Sequence, residues 1–177
     1  MKKVIIVDTT YHANGTSTAI GAKLAAQIPN AEVEVFSLRE KTVNPCLGCN
    51  ACKAKDHPTC VQKDDMAALL ERIDACDAFV LTAPIYFGAI AGQAKTFLDR
   101  LYAFYNPGKP GMSVATKGGK KLAVVCTCAA PAETYVPHAQ AMAGAMGIIG
   151  AAENKALVLN PGTEAEPVAD LAKWLAE

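Results

Sequence analysis

Short apolar runs alternate along the chain with longer stretches whose apolar residues recur at helical spacing. Residues 4–7 are all apolar and β-branched, as in a strand that is buried on both faces of a sheet. Residues 66–73 carry apolar side chains at the i, i+3, i+4 and i+7 positions of one helix face, directly after two aspartates. The whole pattern predicts strands at 4–7, 33–35, 78–81, 122–126 and 156–159, and helices at 16–28, 66–73, 98–105, 137–146 and 168–175.

Five strands that alternate with five helices predict an α/β fold, doubly wound, with a parallel sheet covered by helices on both faces. The length of 177 residues suits a single domain. The connection at about residues 38–62 has no periodicity, and we interpret it as an insertion, because loops of that length in compact domains are usually functional. Ligands of such sheets bind at the carboxyl ends of the strands, so the loops that follow strands are the first places to look for a site.

Acidic and basic side chains are balanced, with 17 lysines and arginines against 17 aspartates and glutamates. A net charge of zero leaves no electrostatic footprint for nucleic acid or for an acidic membrane surface, so we expect neither as a partner. No apolar segment reaches the roughly 18 residues of a membrane span, and the first apolar run is too short for a secretion signal. We therefore expect a cytoplasmic protein.

The turn after the first predicted strand is rich in hydroxyl groups and leads into a helix. The N–H groups and the dipole at a helix start favour an anion such as phosphate, and hydroxyl groups add further donors. An Asn-Gly turn followed by an ordinary helix cap would explain the same residues. The turn is neither a P-loop nor a dinucleotide fingerprint. The candidate phosphate ligands are Thr10, His12, Thr16, Ser17 and Thr18.

A second candidate segment follows the third predicted strand. Its two adjacent aromatic residues could cover a flat ring system, and its glycine would let a ligand approach the backbone closely. A hydrophobic turn or a subunit contact would use the same residue types. The segment consists of Pro84, Ile85, Tyr86, Phe87 and Gly88.

Seven cysteines are unexpected in a reducing compartment, where cysteines more often bind metal or do redox chemistry than form disulfides. Four of them lie close together in the unpatterned connection: Cys46, Cys49, Cys52 and Cys60. Thiolates at two-residue intervals suit a 4Fe–4S cluster, in which each iron takes one cysteine. A zinc site and reduced thiols that pack the loop are the alternatives. The other three lie in apolar patterns and are interpreted as small buried residues: Cys76, Cys126 and Cys128.

Together these segments resemble the flavodoxin-like NADPH-dependent FMN reductase superfamily, and the cysteines resemble its iron–sulfur flavoprotein branch. The residues that carry the resemblance are 44–52, Cys60, 64–66, 83–88, Lys95 and 99–101. The resemblance implies an FMN-binding domain with strand order 2-1-3-4-5, the phosphate in the first loop and the isoalloxazine against the Pro-x-Tyr segment. Where the family has Gly, Ser and Arg in the phosphate loop, this chain has Thr9, Thr10 and His12.

These interpretations favour an FMN-dependent oxidoreductase that passes electrons between an iron–sulfur cluster and the flavin. One alternative is an FMN-only NAD(P)H-dependent reductase of quinones, flavins or metals, in which the cysteines are structural. Another is a non-catalytic metal- or phosphate-binding module, because the fold alone does not decide function. The expected electron donor is NAD(P)H or a ferredoxin-type protein, and the expected acceptor is a small molecule or another protein. The resemblance also implies a homodimer or a homotetramer.

Overall fold

A parallel sheet forms the centre of the computed structural model, which describes residues 1–177. The strands are β1 (Lys2–Asp8), β2 (Ala31–Ser37), β3 (Ala78–Tyr86), β4 (Ala89–Ile90), β5 (Lys120–Thr127) and β6 (Ala151–Leu159). Five of them are parallel and run in the order β2-β1-β3-β5-β6, while the two-residue β4 pairs antiparallel with β3. The predicted five-stranded parallel sheet is confirmed; the sheet differs from the prediction by the additional β4.

Helices cover both faces of this sheet. They are α1 (Thr16–Gln27), α2 (Asp65–Ala75), α3 (Gly92–Arg100), α4 (Val136–Met146) and α5 (Ala165–Ala176). Successive side chains of β1 point to opposite faces, so that Val4 and Ile6 pack into the core with α1 and α5, whereas Ile5 and Val7 pack into the core with α2, α3 and α4. The two cores explain why the central strands are continuous apolar runs. None of the helices has the length and apolar character needed to cross a bilayer.

Three elements have boundaries that lie five or more residues from the predicted ones. Strand β3 continues beyond residue 81 to Tyr86, because its second half still pairs with β5 and then with β4. Helix α3 ends at Arg100 and is followed by a 3-10 turn, Leu101–Phe104, where a helix over 98–105 is predicted. Strand β6 starts at Ala151 instead of 156. Its first residues pair with β5 but lie exposed at the edge of the sheet, so they carry no apolar pattern from which the strand could be predicted.

The three cysteines outside the crowded loop are buried, which confirms the interpretation of Cys76, Cys126 and Cys128 as small core residues. Burial raises the pKa of Cys76 and of Cys126 to about 12 in each case. Burial, together with the nearby Glu133, also raises the pKa of Cys128. Since the thiolate is the reactive form of cysteine, these thiols are chemically quiet at neutral pH.

Alkylation of the folded, metal-free protein with iodoacetamide at about pH 8 is expected to modify Cys46 and Cys49 rapidly and to leave Cys76 and Cys126 unmodified. The first pair is exposed, whereas the second pair is buried and holds its protons at that pH. Peptide mass spectrometry reads the modification at each site, and the urea-unfolded chain, in which all seven cysteines react, is the control. Fast modification of Cys126 without unfolding would contradict the burial of this side chain.

Candidate functional site

A cleft of about 260 Å³ opens at the carboxyl ends of β1, β3 and β5. Three loops meet there, because the carboxyl ends of parallel strands lie at the same edge of a sheet. The cleft brings together these predicted site residues: Thr10, His12, Thr16, Ser17, Pro84, Ile85 and Tyr86. It does not bring in Thr18, Phe87 or Gly88, which lie outside its lining.

One end of the cleft is formed by the β1–α1 loop and the first turn of α1. The helix begins at Thr16, its N-cap Gly15 provides no side-chain cap, and no acidic residue lies in its first turn. A Cβ at Gly15 would lie 2.8 Å from Cγ2 of Thr10, so the loop can be this tight only with glycine there. The hydroxyl oxygen of Thr10 is buried and has no hydrogen-bond partner. Free helix N–H groups and an unpartnered hydroxyl make this end suitable for an anion.

The hydroxyls of Ser17 and Thr18 have partners within the protein. The Ser17 hydroxyl is buried and shares a 2.7 Å hydrogen bond with the Thr127 hydroxyl at the end of β5. The Thr18 hydroxyl donates to Asp8 Oδ2 at 2.9 Å and therefore faces the base of the loop. His12 is exposed, and its carbonyl accepts the N–H of Gly15 at 3.1 Å. Of the predicted hydroxyl ligands, Thr10 is thus the one left buried without a partner.

A buried ion pair lies beneath this loop, and the sequence analysis missed it. Asp8, the last residue of β1, is 1% exposed, and its Oδ2 accepts a 2.6 Å hydrogen bond from Nη1 of Arg39. Asp8 Oδ1 also accepts the backbone N–H of Thr10 at 3.1 Å. Arg39 follows β2, and the register pairs Asp8 with Ser37, two residues earlier. The pair holds the loop from below and neutralises a carboxylate that would otherwise repel an anion.

The aromatic segment is split between the cleft and a hairpin tip. Pro84, Ile85 and Tyr86 line the cleft as the end of β3. Phe87 and Gly88 have φ angles of 53° and 82° and form the two-residue turn to β4, in the conformation that right-twisted hairpins require. A Cβ at Gly88 would meet nothing within 4 Å, so glycine is needed there for its backbone conformation. Phe87 is fully exposed at the tip.

The third side of the cleft comes from the loop after β5, for which sequence reasoning named no residue. Thr127, Cys128 and Ala129 line it. The side-chain amide of Asn160, just after β6, donates to the carbonyls of Cys128 and Ala130 at 2.8 Å each and so fixes the loop. The position of Asn160 directly after a predicted strand was the signal that could have identified it.

The four crowded cysteines line a second, smaller cavity of about 30 Å³. Cys46 and Cys49 are exposed, and Cys52 and Cys60 are half-buried. No three cysteine, histidine or acidic side chains of the chain converge closely enough to hold a single metal ion. The predicted ligands therefore share one cavity without forming a closed metal site.

Two basic residues anchor the loop that carries these cysteines. Arg100, at the end of α3, makes two hydrogen bonds to Asp64, of 2.6 and 2.9 Å, and a third of 2.8 Å to the carbonyl of Asn44. The Lys53 ammonium lies 3.4 Å from the ring centroid of Tyr102 and donates to the carbonyls of Tyr102 and Tyr105. Both anchors connect the cysteine loop to the end of α3.

Charge and burial act on the Asp64–Arg100 pair in opposite directions. Burial favours the neutral form of each group, but the hydrogen bonds and charge of Arg100 outweigh it and lower the pKa of Asp64. Burial likewise works against the charge of Arg100, yet Asp64 and the neighbouring Cys60 raise its pKa. Both groups are therefore charged at neutral pH.

The chain is similar in sequence to known proteins. The family model described as NADPH-dependent FMN reductase matches residues 1–152. An iron–sulfur flavoprotein of Archaeoglobus fulgidus is 34% identical over 125 residues, covering 67% of this chain and 56% of that protein. One from Methanocaldococcus jannaschii is 32% identical over 124 residues, covering 69% and 61%. The matched part of the chain thus spans about three fifths of the length of these relatives.

The fold is shared with solved flavoproteins. An FMN-dependent NADH-azoreductase from Bacillus anthracis, solved in complex with FMN, superposes with a TM-score of 0.70 at 12% identity, over 99% of this chain and 100% of that one. At this identity the likeness establishes the flavodoxin-like fold alone. The family match, in contrast, covers most of the sequence. The chain belongs to the NADPH-dependent FMN reductase family.

Proposed function

We propose that the protein is an FMN-dependent oxidoreductase of NAD(P)H in which the cysteine loop holds a 4Fe–4S cluster that exchanges electrons with the flavin. The observation that carries the proposal concerns two of the three buried side-chain polar atoms that lack a hydrogen-bond partner: the Thr10 hydroxyl lies in the cleft, and the Arg100 Nε lies at the cysteine cavity. Buried polar groups almost always have partners in proteins, so an unpartnered one at each site indicates a missing ligand.

The cleft fits FMN in its chemistry. The first turn of α1 and the Thr10 hydroxyl supply donors for the phosphate, while Pro84 and Tyr86 on one side and the loop after β5 on the other offer surfaces for the ring. FMN, when bound, accepts two electrons together and can release them singly. The chain's own part is to hold the phosphate, orient the ring and exclude water, so no nucleophile–base pair is required.

The cysteine loop fits an iron–sulfur cluster better than a zinc ion. A zinc ion would draw the sulfurs to about 2.3 Å from one point, whereas a 4Fe–4S cluster takes each cysteine on a different iron. Four thiols placed around one cavity without converging suit the second case. The curated relatives at 32–34% identity carry the name iron–sulfur flavoprotein, which supports the same choice.

A second candidate function is an FMN-only NAD(P)H-dependent reductase with structural cysteines. The size of the cysteine cavity favours it: about 30 Å³ admits a few water molecules at most, so the loop must open to hold a cluster. An FMN-dependent NADPH-azoreductase of Staphylococcus aureus, 29% identical over 121 residues, is a relative whose name mentions no cluster.

Iron, acid-labile sulfide and flavin analysis of strictly anaerobic preparations tests the two. About four irons and four sulfides with one FMN per chain supports the cluster-containing oxidoreductase. One FMN without iron supports the FMN-only reductase. A colourless protein that contains zinc would overturn both and support a non-catalytic metal-binding module.

We also propose that the chain works as a homodimer or homotetramer, with NAD(P)H or a ferredoxin-type protein as the donor. The apolar surface beside the cysteine loop supports self-association: Leu98, Tyr102 and Met142 line a further cleft of about 500 Å³, and Leu47 nearby is 69% exposed. Light scattering on the purified protein, over a range of concentrations, gives the mass directly; a monomer at every concentration would contradict the proposal.

His12 is expected to contribute to phosphate binding. The residue lines the cleft beside the first turn of α1, and an imidazole N–H can donate a hydrogen bond to a phosphate oxygen. His12→Ala should therefore weaken FMN binding by about tenfold or more, because a hydrogen bond to a charged group contributes about 1.5–3 kcal/mol. Flavin titrations of wild type and His12→Ala check this. Equal affinities would remove His12 from the site.

A further inference from the structure

Arg100 lies where helix α3 meets the cysteine loop. Its side chain is 1% exposed, and it lines the same cavity as the four crowded cysteines. A buried guanidinium with this position has two possible uses: it can hold the surrounding backbone, or it can act on whatever the cavity contains. Its hydrogen bonds distinguish the two.

The terminal nitrogens of the guanidinium have hydrogen-bond partners, whereas its Nε–H has none. Nη1 and Nη2 donate to Asp64, and Nη1 also donates to the carbonyl of Asn44. The Nε–H is buried and has no partner. The structural role therefore uses the two terminal nitrogens alone, and a buried N–H that is left unpaired destabilises the fold.

Cys60 is a sulfur acceptor that lines the same cavity as the free N–H. It also helps to raise the pKa of the guanidinium. A cysteine that ligates iron carries negative charge on sulfur and is a better acceptor than a thiol. The hydrogen bonds to Asp64 fix the two terminal nitrogens of the guanidinium, so that the Nε–H keeps its direction when the cavity is filled.

We propose that Arg100 is a positioning residue for the cysteine site, donating its Nε–H to the Cys60 sulfur of the bound cluster and raising the cluster's reduction potential. The inference rests on the proposed function, because it requires the cluster. Reduction adds one electron and breaks no bond of the protein. The N–H and the fixed positive charge stabilise the added negative charge on sulfur, and Arg100 keeps its proton throughout.

Arg100→Lys is the informative variant. Lysine keeps a positive charge beside Asp64 but has no N–H at the Nε position, so we expect iron and sulfide contents like those of wild type and a more negative midpoint potential. The expected shift is at least tenfold in the one-electron reduction equilibrium, which is about 59 mV. Potentiometric titration with dithionite, followed by EPR, measures it. Arg72→Lys, on an exposed arginine that pairs with Glu34, is the matched control and should leave the potential unchanged.

A second measurement uses the wild-type protein and does not depend on whether the variant folds. The chain has three arginines, Arg39, Arg72 and Arg100, so labelling arginine with ¹⁵N at Nε marks few positions. Pulsed EPR of the dithionite-reduced protein should show a ¹⁵N hyperfine coupling to the cluster, because a hydrogen bond to a ligating sulfur transmits spin density to the donor nitrogen.

The outcomes separate this inference from the function on which it rests. Wild-type protein without iron and sulfide would overturn both. A cluster that shows no ¹⁵N coupling would overturn the inference alone, even if the variant's potential shifted, since Arg100 would then act only through packing. A coupling with an unchanged potential in a folded Arg100→Lys protein would likewise overturn the proposed effect on the potential. A coupling together with a lowered potential, or a coupling where the variant does not fold, supports it.

Discussion

Replacing Cys46, Cys49, Cys52 or Cys60 with alanine, one at a time, is expected to remove most of the iron from anaerobically prepared protein and to leave its FMN in place. A 4Fe–4S cluster binds through four cysteines, so each variant should fall from about four irons per chain to less than about one. The flavin should stay, because the cleft is built from the ends of β1, β3 and β5 and includes none of these cysteines. Iron and sulfide analysis, together with the visible spectrum, reads both groups in one sample.

Cys76→Ala is the matched control for this series. Cys76 is buried between α2 and β3 and lines neither the cleft nor the cysteine cavity, so the variant should keep its full iron content. Its loss of a small buried side chain should cost about 1 kcal/mol of stability. Equal iron in the control and in all four variants would contradict the assignment of the ligands.

Replacing Arg39 with glutamine is expected to weaken FMN binding by about tenfold or more, which corresponds to about 1.4 kcal/mol. Arg39 compensates Asp8, a 1% exposed carboxylate whose Oδ1 also holds the backbone N–H of Thr10. Without Arg39 that charge stays beneath the phosphate loop, repels the phosphate and loosens the loop. Quenching of flavin fluorescence on binding gives the dissociation constant of each protein.

The double variant Asp8→Asn/Arg39→Gln separates charge from packing. It removes both charges and should recover part of the affinity, because no uncompensated carboxylate is left beneath the loop. Arg72→Gln, which breaks an exposed pair with Glu34, should bind FMN like wild type. An Arg39→Gln protein with wild-type affinity would show that the pair plays no part in phosphate binding.

The sheet could be predicted from the sequence because its central strands are buried on both faces. Residues 4–7 and 78–81 have no polar position to obscure the pattern, and the structure places both in the middle of the sheet. The pattern at 33–35 is partly polar, as is typical of an edge strand, and β2 lies at the edge. Strand order, in contrast, came from the resemblance to a family, because periodicity alone contains no information on which strands are neighbours.

The parts that could not be predicted depend on contacts between distant residues. Asp8 and Arg39 are 31 positions apart, and Asp64 and Arg100 are 36 apart, so neither pair leaves a local signal in the sequence. The hairpin between β3 and β4 was missed for another reason: a two-residue strand is too short to show alternation. Phe87 at the tip of this hairpin follows Tyr86 in the sequence and was therefore predicted to share its site. In the structure it has a positive φ and lies outside the lining of the cleft.

Helix α3 makes the two candidate sites mechanically interdependent. The Tyr11 hydroxyl accepts the backbone N–H of Gln93 in its first turn, and the Gln93 side chain donates to the carbonyl of Thr9 at 2.6 Å. Its last residue, Arg100, lies at the cysteine cavity. Nine helical residues form a rigid rod of about 13 Å, so the rod fixes the separation of the residues it holds at its two ends. Insertions and deletions within this helix are therefore expected to disturb both candidate sites, because the length of the helix sets the distance between them.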